Sequence, residues 1–311
     1  MKAKKSKDNT AIIVAVIAAL ATLITAIIGL AMPFVERMAS ENTSTPMPLA
    51  TPTQAPVVAE SPAATEAPTL GIGSIIISDG VIMLYVPAGT FSMGSEENDD
   101  EKPIHSVDLD AYYIYKYEVT NAAYKRCMDA GACNPPKQSN SSTRSAYYGN
   151  PEFDDYPVIY VDWNMANEYC LWRNARLPTE AEWEKAARGV DGRTYPWGEY
   201  INCDRVNYYD GSKYCVGDTT KVGSYESGKS PYGVYDMGGN VWEWVNDWYS
   251  GTYYRSSPSS NRLGPDSGQY RVLRGGSWSL NPNYVRSANR GWGIPVTLRD
   301  VGFRCARGTS P

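Results

Sequence analysis

Histidine is almost absent from this chain of 311 residues, because His105 is the only one. A three-histidine zinc or iron site and a two-histidine facial triad are therefore excluded. Any Ser-His-Asp arrangement would have to use His105 itself. His105 follows Lys102-Pro103-Ile104 and precedes an alternating stretch. This position indicates a structural histidine at the start of a strand.

Phenylalanine is also scarce, with 4 Phe beside 24 Tyr and 9 Trp. Tyrosine and tryptophan carry polar groups that need hydrogen-bond partners when they are buried. Such a mixture suits a core built largely from loops, where many backbone groups need local partners. It equally suits a surface that grips sugars or peptides, and composition leaves both interpretations open.

Positive charge is lacking outside the first few residues. The formal net charge is −5, and residues 1–8, with four lysines and one aspartate, contribute +3 and leave −8 for the remainder. An acidic surface repels a phosphate backbone. The charge pattern therefore predicts no nucleic-acid partner.

An uncharged, mostly apolar run over residues 11–32 follows the basic N-terminus. Roughly 20 helical residues span a bilayer core, so this run predicts a transmembrane helix. The preceding lysines predict a cytoplasmic tail over residues 1–10, with the rest of the chain outside. A cleaved signal peptide is the alternative, although such peptides have apolar regions of only about 7–15 residues.

Glycine and aromatic residues are absent from residues 41–70, which are rich in Pro, Thr and Ala. Such a segment cannot bury enough apolar surface to offset its chain entropy. Residues 33–74 are therefore predicted to form a stalk that holds an extracytoplasmic domain, residues 75–309, away from the cell membrane.

The domain over residues 75–309 is predicted to be α+β with little regular secondary structure. After Gly189 no stretch has apolar residues at helical spacing over the length of a helix. Few stretches there alternate between apolar and polar residues. Capping residues mark the helix starts in the first half. The predicted elements are strands over 82–86 and 112–119, a helix capped by Thr120 and reaching Met128, a helix capped by Asp162 over about 163–174, and a helix with a Thr179/Glu182 capping box that ends near Gly189.

Six short motifs occur in a fixed order along this domain. They are Val86-Pro87-Ala88-Gly89-Thr90-Phe91-Ser92-Met93-Gly94-Ser95, Tyr117-Glu118-Val119-Thr120-Asn121 followed by Tyr124, Arg176-Leu177-Pro178-Thr179-Glu180-Ala181-Glu182-Trp183-Glu184, Gly239-Asn240-Val241-Trp242-Glu243-Trp244, Arg274-Gly275-Gly276-Ser277-Trp278 and Gly302-Phe303-Arg304-Cys305. Over roughly residues 80–309 their order and spacing resemble the formylglycine-generating-enzyme, or sulfatase-modifying-factor, family. The resemblance implies a C-type-lectin-like fold that is poor in regular structure.

Six cysteines allow 15 different pairings, and disulfides persist outside the cytoplasm. Closeness in sequence suggests Cys127 with Cys133 and Cys203 with Cys215. The resemblance implies the third pair, Cys170 with Cys305, because similar proteins join the cysteine before the Arg-Leu-Pro-Thr-Glu motif to the cysteine of Gly-Phe-Arg-Cys.

The resemblance also shows what chemistry is missing. Active family members oxidise a substrate cysteine to formylglycine with copper(I), a soft ion held by two thiolates. Those cysteines lie between the Arg-Gly-Gly-Ser and Gly-Phe-Arg-Cys motifs, and their positions fall here at Leu280 and Val285. Residues 278–301 contain no cysteine, and the hydroxyls of Ser279 and Ser287 are hard ligands. Copper and catalysis are therefore not expected.

Three roles remain open at this point. The favoured one is a non-catalytic binding or scaffolding module for a peptide, protein or glycan. The second is a formylglycine-generating-type oxidoreductase with an unforeseen thiol pair. The third is a structural stabiliser of an envelope complex that has no ligand in its groove. A related branch that uses iron and three histidines is excluded, since the chain has one histidine.

Calcium is the cofactor that the resemblance implies. Similar proteins bind it through side chains that match Asp236 and Glu243 and carbonyls that match Gly239 and Val241; hard oxygen ligands suit this ion. A second site would involve Asn207 and the Tyr208 carbonyl, with Asp218. Without the resemblance, a plain Gly-Asn turn would explain the first motif.

The resemblance places a substrate groove beside the missing cysteine pair. Its candidate lining residues are Trp242, Trp278, Arg286, Asn289 and Arg290. In the alternative interpretation, the arginines pair with local acids and the tryptophans fill the core.

Overall fold

The computed structural model describes residues 71–309, except residues 73, 79, 262, 297 and 298. The predicted tail, transmembrane helix and most of the stalk lie outside these residues. Within the described residues, no helix combines the length and apolar character that crossing a bilayer requires.

Ten short strands form three small sheets in the described part of the chain. They are β1 (Ile75–Ser78), β2 (Val81–Val86), β3 (Gly89–Met93), β4 (His105–Leu109), β5 (Tyr112–Tyr115), β6 (Trp242–Trp248), β7 (Arg271–Arg274), β8 (Gly291–Gly293), β9 (Val301–Phe303) and β10 (Ala306–Gly308). The sheets run in the orders β1-β2-β5-β10, β3-β4 and β8-β7-β6-β9. The β6–β9 pair is parallel, and the other strand pairs are antiparallel.

Three α-helices lie between β5 and β6: α1 (Asn121–Asp129), α2 (Trp163–Trp172) and α3 (Glu180–Arg188). Single 3-10 turns occur at Asp99–Glu101, Pro151–Phe153, Glu226–Gly228 and Tyr253–Arg255. The Thr120 hydroxyl accepts a hydrogen bond from the Ala123 amide at 3.2 Å, and the Asp162 carboxylate accepts one from the Met165 amide at 2.9 Å. Both predicted caps are therefore confirmed.

The capping box of α3 is formed in both directions. The Thr179 hydroxyl accepts a hydrogen bond from the Glu182 amide at 3.1 Å, and the Glu182 carboxylate accepts one from the Thr179 amide at 2.8 Å. The helix ends at Gly189, whose φ of 70° suits a residue without a Cβ. This local chemistry fixes both ends of the helix, as predicted.

Alternate residues of β2 face two separate cores, because side chains along a strand point to opposite sides. Met83 packs in one hydrophobic cluster with residues of α1 and α2. Leu84 and Val86 pack in the other cluster with α3 and β7. The first sheet therefore lies between the two cores.

The strand predicted over residues 112–119 is shorter in the structure. It ends at Tyr115. The Lys116 amide still donates to the Ile82 carbonyl of β2, but the Val119 amide donates to the Phe303 carbonyl at the end of β9, so the chain has left the first sheet by that residue. The bend brings Glu118 to the turn before β6. His105 starts β4, as predicted, and the centroids of its ring and the Tyr254 ring are 4.7 Å apart in an edge-to-face arrangement.

Candidate functional site

All six cysteines lie in the described residues and all are paired. The disulfides are Cys127–Cys133, Cys170–Cys305 and Cys203–Cys215, with Cα–Cα distances of 5.4, 5.6 and 5.4 Å. The predicted pairing is therefore confirmed, and these residues include no free thiol. A soft metal would find no thiolate pair in this arrangement.

Apolar side chains stand at Leu280 and Val285, the two positions where the resemblance places the family's copper ligands. Val285 is fully buried in a small cluster with Tyr195, Val206 and Tyr208. Leu280 is half-buried and packs against the main core. Aliphatic side chains therefore stand at both of these positions.

An oxygen-rich cluster lies beside these positions. The Ser277 hydroxyl donates to the Asp300 carboxylate at 2.9 Å, and the Ser279 hydroxyl donates to the same oxygen at 3.3 Å. The Trp242 amide donates to the Asp300 carbonyl at 2.9 Å, which ties the start of β6 to the start of β9. Asp300 stands two residues before the Gly-Phe-Arg-Cys motif and was not among the predicted site residues.

The two candidate tryptophans have different surroundings. Trp242 is 9% exposed and belongs to the main core. Trp278 is 4% exposed, and its indole N–H has no hydrogen-bond partner among the described residues. The Tyr214 ring is half exposed, and its centroid lies 5.7 Å from the centroid of the Trp278 ring. The Trp278 indole N–H is therefore a buried donor without a partner among the described residues, behind an exposed tyrosine ring.

The candidate polar residues of the groove contact buried acids. Arg286 donates to both carboxylate oxygens of Glu101 at 2.8 and 2.9 Å, and Asn289 donates to Glu101 at 3.3 Å. Arg290 holds both oxygens of Glu180 at 2.7 and 3.0 Å. Burial would raise the pKa of the Glu101 carboxyl, but hydrogen bonds and the charge of Arg286 outweigh burial and lower this pKa. These contacts match the interpretation in which the arginines pair with local acids.

A second buried network that the sequence analysis missed centres on Glu184. Its carboxylate accepts hydrogen bonds from Arg274 at 2.6 Å, Arg188 at 2.9 Å and the Gly94 amide at 2.8 Å. Glu180 and Glu184 are four residues apart on α3, so they lie on one face of the helix. This spacing of two acidic residues on one helix face is the feature of the sequence that could have indicated the network.

The turn before β6 brings together the residues of the first predicted calcium site. The Asp236 carboxylate accepts a hydrogen bond from the Gly223 amide at 2.7 Å. Arg304 donates to both carboxylate oxygens of Glu243 at 2.6 and 2.7 Å. A Cβ at Gly239 would collide with the Asn207 carbonyl, so this close approach requires glycine.

The carboxylates of Glu118, Asp236 and Glu243 lie near this turn together with one arginine, Arg304. Burial raises the pKa of Asp236 to about 6. Burial, and then the charges of Asp236 and Glu243, raise the pKa of Glu118 well above its usual range. The excess of negative charge favours a cation, but Arg304 already occupies the Glu243 carboxylate, so the donors at this turn fit calcium only in part.

The second predicted site has an unused oxygen. Asn207 is buried, and its Oδ1 has no hydrogen-bond partner among the described residues. Its Nδ2 donates to the Asp218 carbonyl at 2.7 Å, and the Asp218 carboxylate accepts a hydrogen bond from the Ser141 hydroxyl at 2.6 Å. The Tyr208 carbonyl accepts one from the Cys215 amide at 2.9 Å. The Asn207 oxygen fits a hard cation.

The two predicted calcium sites are adjacent, because the Asn240 amide donates to the Asn207 carbonyl at 2.9 Å. Across residues 71–309 as described, no three His, Cys, Asp or Glu side chains are grouped so that they could hold a metal ion. A cation here would therefore depend on amide and backbone oxygens as well as carboxylates.

Fold and site together define an α+β domain that is cross-linked by disulfides and contains several buried ion pairs. Residues 79–309 match the sulfatase-modifying factor enzyme 1-like domain, and the chain belongs to this family. The family resemblance of the six motifs is thereby confirmed.

Similar proteins differ in their named activities. The formylglycine-generating enzyme of Streptomyces coelicolor is 32% identical over 84% of this chain and 96% of its own length. The serine/threonine-protein kinase Pkn1 of Chlamydia trachomatis is 37% identical over 72% of this chain, but the match spans only 38% of the kinase's length. The structure of PvdO from Pseudomonas aeruginosa shares 29% identity, with a TM-score of 0.64 over 76% of this chain and 99% of PvdO.

Proposed function

We propose that residues 75–309 form a non-catalytic binding or scaffolding module for a peptide, protein or glycan. In this proposal residues 11–32 anchor it in the cell membrane and the domain stands outside the cytoplasm. The observation that carries the proposal is the use of all six cysteines in disulfides. Copper(I) selects soft sulfur ligands, and no thiolate pair remains to bind it.

The relatives support such a role without requiring it. In Chlamydia trachomatis the matching segment covers 38% of a protein named as a kinase, which is consistent with a domain that serves a larger protein. The match to formylglycine-generating enzymes supports the alternative, an oxidoreductase that acts on a substrate cysteine. The two proposals differ in whether thiols are available.

Within the proposed groove, the half-exposed Tyr214 ring is the exposed aromatic surface, and the buried Trp278 beside it carries an indole N–H that has no partner among the described residues. An indole N–H donates hydrogen bonds to carbonyl or hydroxyl oxygens, and aromatic faces pack against apolar ligand surface. Peptides and glycans both present such oxygens. Arg286 and Arg290 would act by holding the groove in shape, through Glu101 and Glu180.

The first prediction concerns thiols and turnover. Titration of the full chain under denaturing, non-reducing conditions should find no free thiol. With copper(I) and a cysteine-containing peptide, the protein should form no aldehyde. Mass spectrometry of the peptide measures this directly, with the formylglycine-generating enzyme of Streptomyces coelicolor as the positive control.

Two or more titratable thiols, together with aldehyde formation, would establish the oxidoreductase alternative. The binding half of the proposal is measured on peptide and glycan arrays with the wild type and a Trp278→Phe variant. Trp292→Phe is the matched control, because Trp292 is 52% exposed and lies on β8. Equal binding by all three proteins, or binding by none, would count against this groove.

We also propose calcium as a structural ion, held at the Asn207 side and assisted by the Asp236 turn. The buried Asn207 oxygen without a donor supports this assignment. Asparagine and backbone oxygens are ordinary calcium ligands. When bound, the ion would neutralise part of the carboxylate excess in the turn before β6.

The second prediction is that calcium raises the thermal stability of the domain relative to EDTA. A ligand present at one hundred times its Kd stabilises the native state by about 2.7 kcal/mol. Differential scanning calorimetry measures the shift in Tm. The Asn207→Leu variant should lose the shift, and Asn202→Leu, in the same loop but exposed, should keep it. An identical Tm in calcium and EDTA would refute the proposal.

A further inference from the structure

A cavity of about 140 Å³ opens on the side of the domain that carries α1. Its walls come from the β1–β2 turn, the segment that follows β5, α1 and α2. The lining residues include Ile82, Tyr115, Val119, Ala123, Arg126 and Tyr169. None of the five groove candidates lines it, so this cavity is separate from the proposed groove.

The size and the walls of the cavity suit one aromatic ring. An engineered cavity of about 150 Å³ lined by apolar side chains binds benzene, and this volume is similar. Val119 and Ala123 are buried and provide apolar wall. The rings of Tyr115 and Tyr169 are also buried. Aromatic rings favour offset or edge-to-face contact with another ring.

A positive charge at the cavity is left uncompensated. Arg126 stands in the last turn of α1 and is exposed, and it makes no ion pair with the residues that the structure describes. The neighbouring Lys125, in contrast, is paired with Asp129 at 2.7 Å. Arginine presents a planar fork of donors that matches a carboxylate.

The acidic residue of the wall does not neutralise this arginine. Glu118 lines the cavity, but its two carboxylate oxygens accept hydrogen bonds from Asn240 Nδ2 at 2.6 Å and from the Val241 amide at 3.3 Å. Its side chain is therefore directed toward the turn before β6. The charge that faces a ligand is that of Arg126.

We propose that this cavity binds a small aromatic carboxylate. The ring packs against the wall that Tyr115 and Tyr169 form together, and the carboxylate contacts the Arg126 guanidinium. Burial of one ring supplies the affinity, and the arginine selects the anion over a neutral molecule of the same shape. The site does not depend on the function proposed for the groove.

The test uses 4-fluorobenzoate as the probe, with 4-fluorobenzamide as its neutral counterpart of the same shape. Fluorine NMR of the ligand is titrated with the full-length chain. The benzoate should bind about tenfold more tightly than the benzamide, a difference of about 1.4 kcal/mol, because its carboxylate makes charge-assisted hydrogen bonds to the guanidinium. Arg126→Gln should remove that difference.

Two further variants locate the site. Lys125→Gln changes the adjacent charge in the same way and should leave binding unchanged. Ala123→Leu fills the cavity and should abolish binding of both probes; Ala123→Val is the smaller replacement if the leucine variant does not fold by circular dichroism. No binding at millimolar probe, equal binding of benzoate and benzamide, or full binding to the filled variant would each overturn the proposal.

Discussion

Replacing Cys170 and Cys305 together by alanine should lower the free energy of unfolding by about 5 kcal/mol. This disulfide spans 135 residues, so its loss releases a long loop in the unfolded chain. Loop-closure entropy grows with the logarithm of loop length. Urea unfolding at equilibrium measures the change, and the slope against urea should rise because the unfolded chain exposes more surface.

The matched control is the Cys127→Ala, Cys133→Ala variant. Its disulfide spans only 6 residues, and the same entropy relation gives a loss of about 2 kcal/mol. All four cysteines contribute to the main core. The entropic explanation would be wrong if the two double variants lost equal stability.

Glu184→Gln should destabilise the domain by about 3–5 kcal/mol, because it breaks a buried ion-pair network by removing one charge. The substitution keeps the shape of the side chain and removes the negative charge between Arg274 and Arg188. Both guanidiniums are buried, so they cannot recover water as a partner. Chemical denaturation with a circular-dichroism readout gives the value.

Asp129→Asn is the control for this change, because it makes the same acid-to-amide replacement in an exposed pair. Asp129 and Lys125 are 60% and 52% exposed at their side chains. Exposed pairs of this kind are worth about 0.3–0.5 kcal/mol, and the variant should lose no more than that. Similar losses from both variants would show that burial does not govern the Glu184 network.

Several parts of the fold could be predicted because their causes are local. Thr120, Asp162 and the Thr179/Glu182 box fix helix starts through hydrogen bonds that span three residues. The Cys127–Cys133 and Cys203–Cys215 pairs are close in sequence. The pairing of Cys170 with Cys305 did not follow from spacing; the family resemblance supplied it.

The strands in the second half of the domain could not be predicted, because they are short and do not alternate between apolar and polar residues. The strands β7, β8 and β9 have four, three and three residues. Three or four residues are too few to show the alternation of apolar and polar side chains that predicts a strand. Their position in the sheet depends on β6, whose buried tryptophans and glutamate pack on both sides, and β6 in turn depends on distant partners.

The candidate site shows the same division between local and tertiary causes. Residue types alone established that residues 278–301 contain no thiol. They could not show whether Arg286 and Arg290 face a ligand or an acid. That was decided by Glu101 and Glu180, which lie 185 and 110 residues away in sequence.

The sequence by itself determined the helix starts, the family and the absence of cysteine from residues 278–301, since each follows from neighbouring residues or from composition. Tertiary structure alone decided which buried charges form ion pairs, that Ser277 donates to Asp300, and that Arg126 lies at a cavity. The physical reason is that burial and pairing depend on which distant segments pack together. A local pattern does not encode that information.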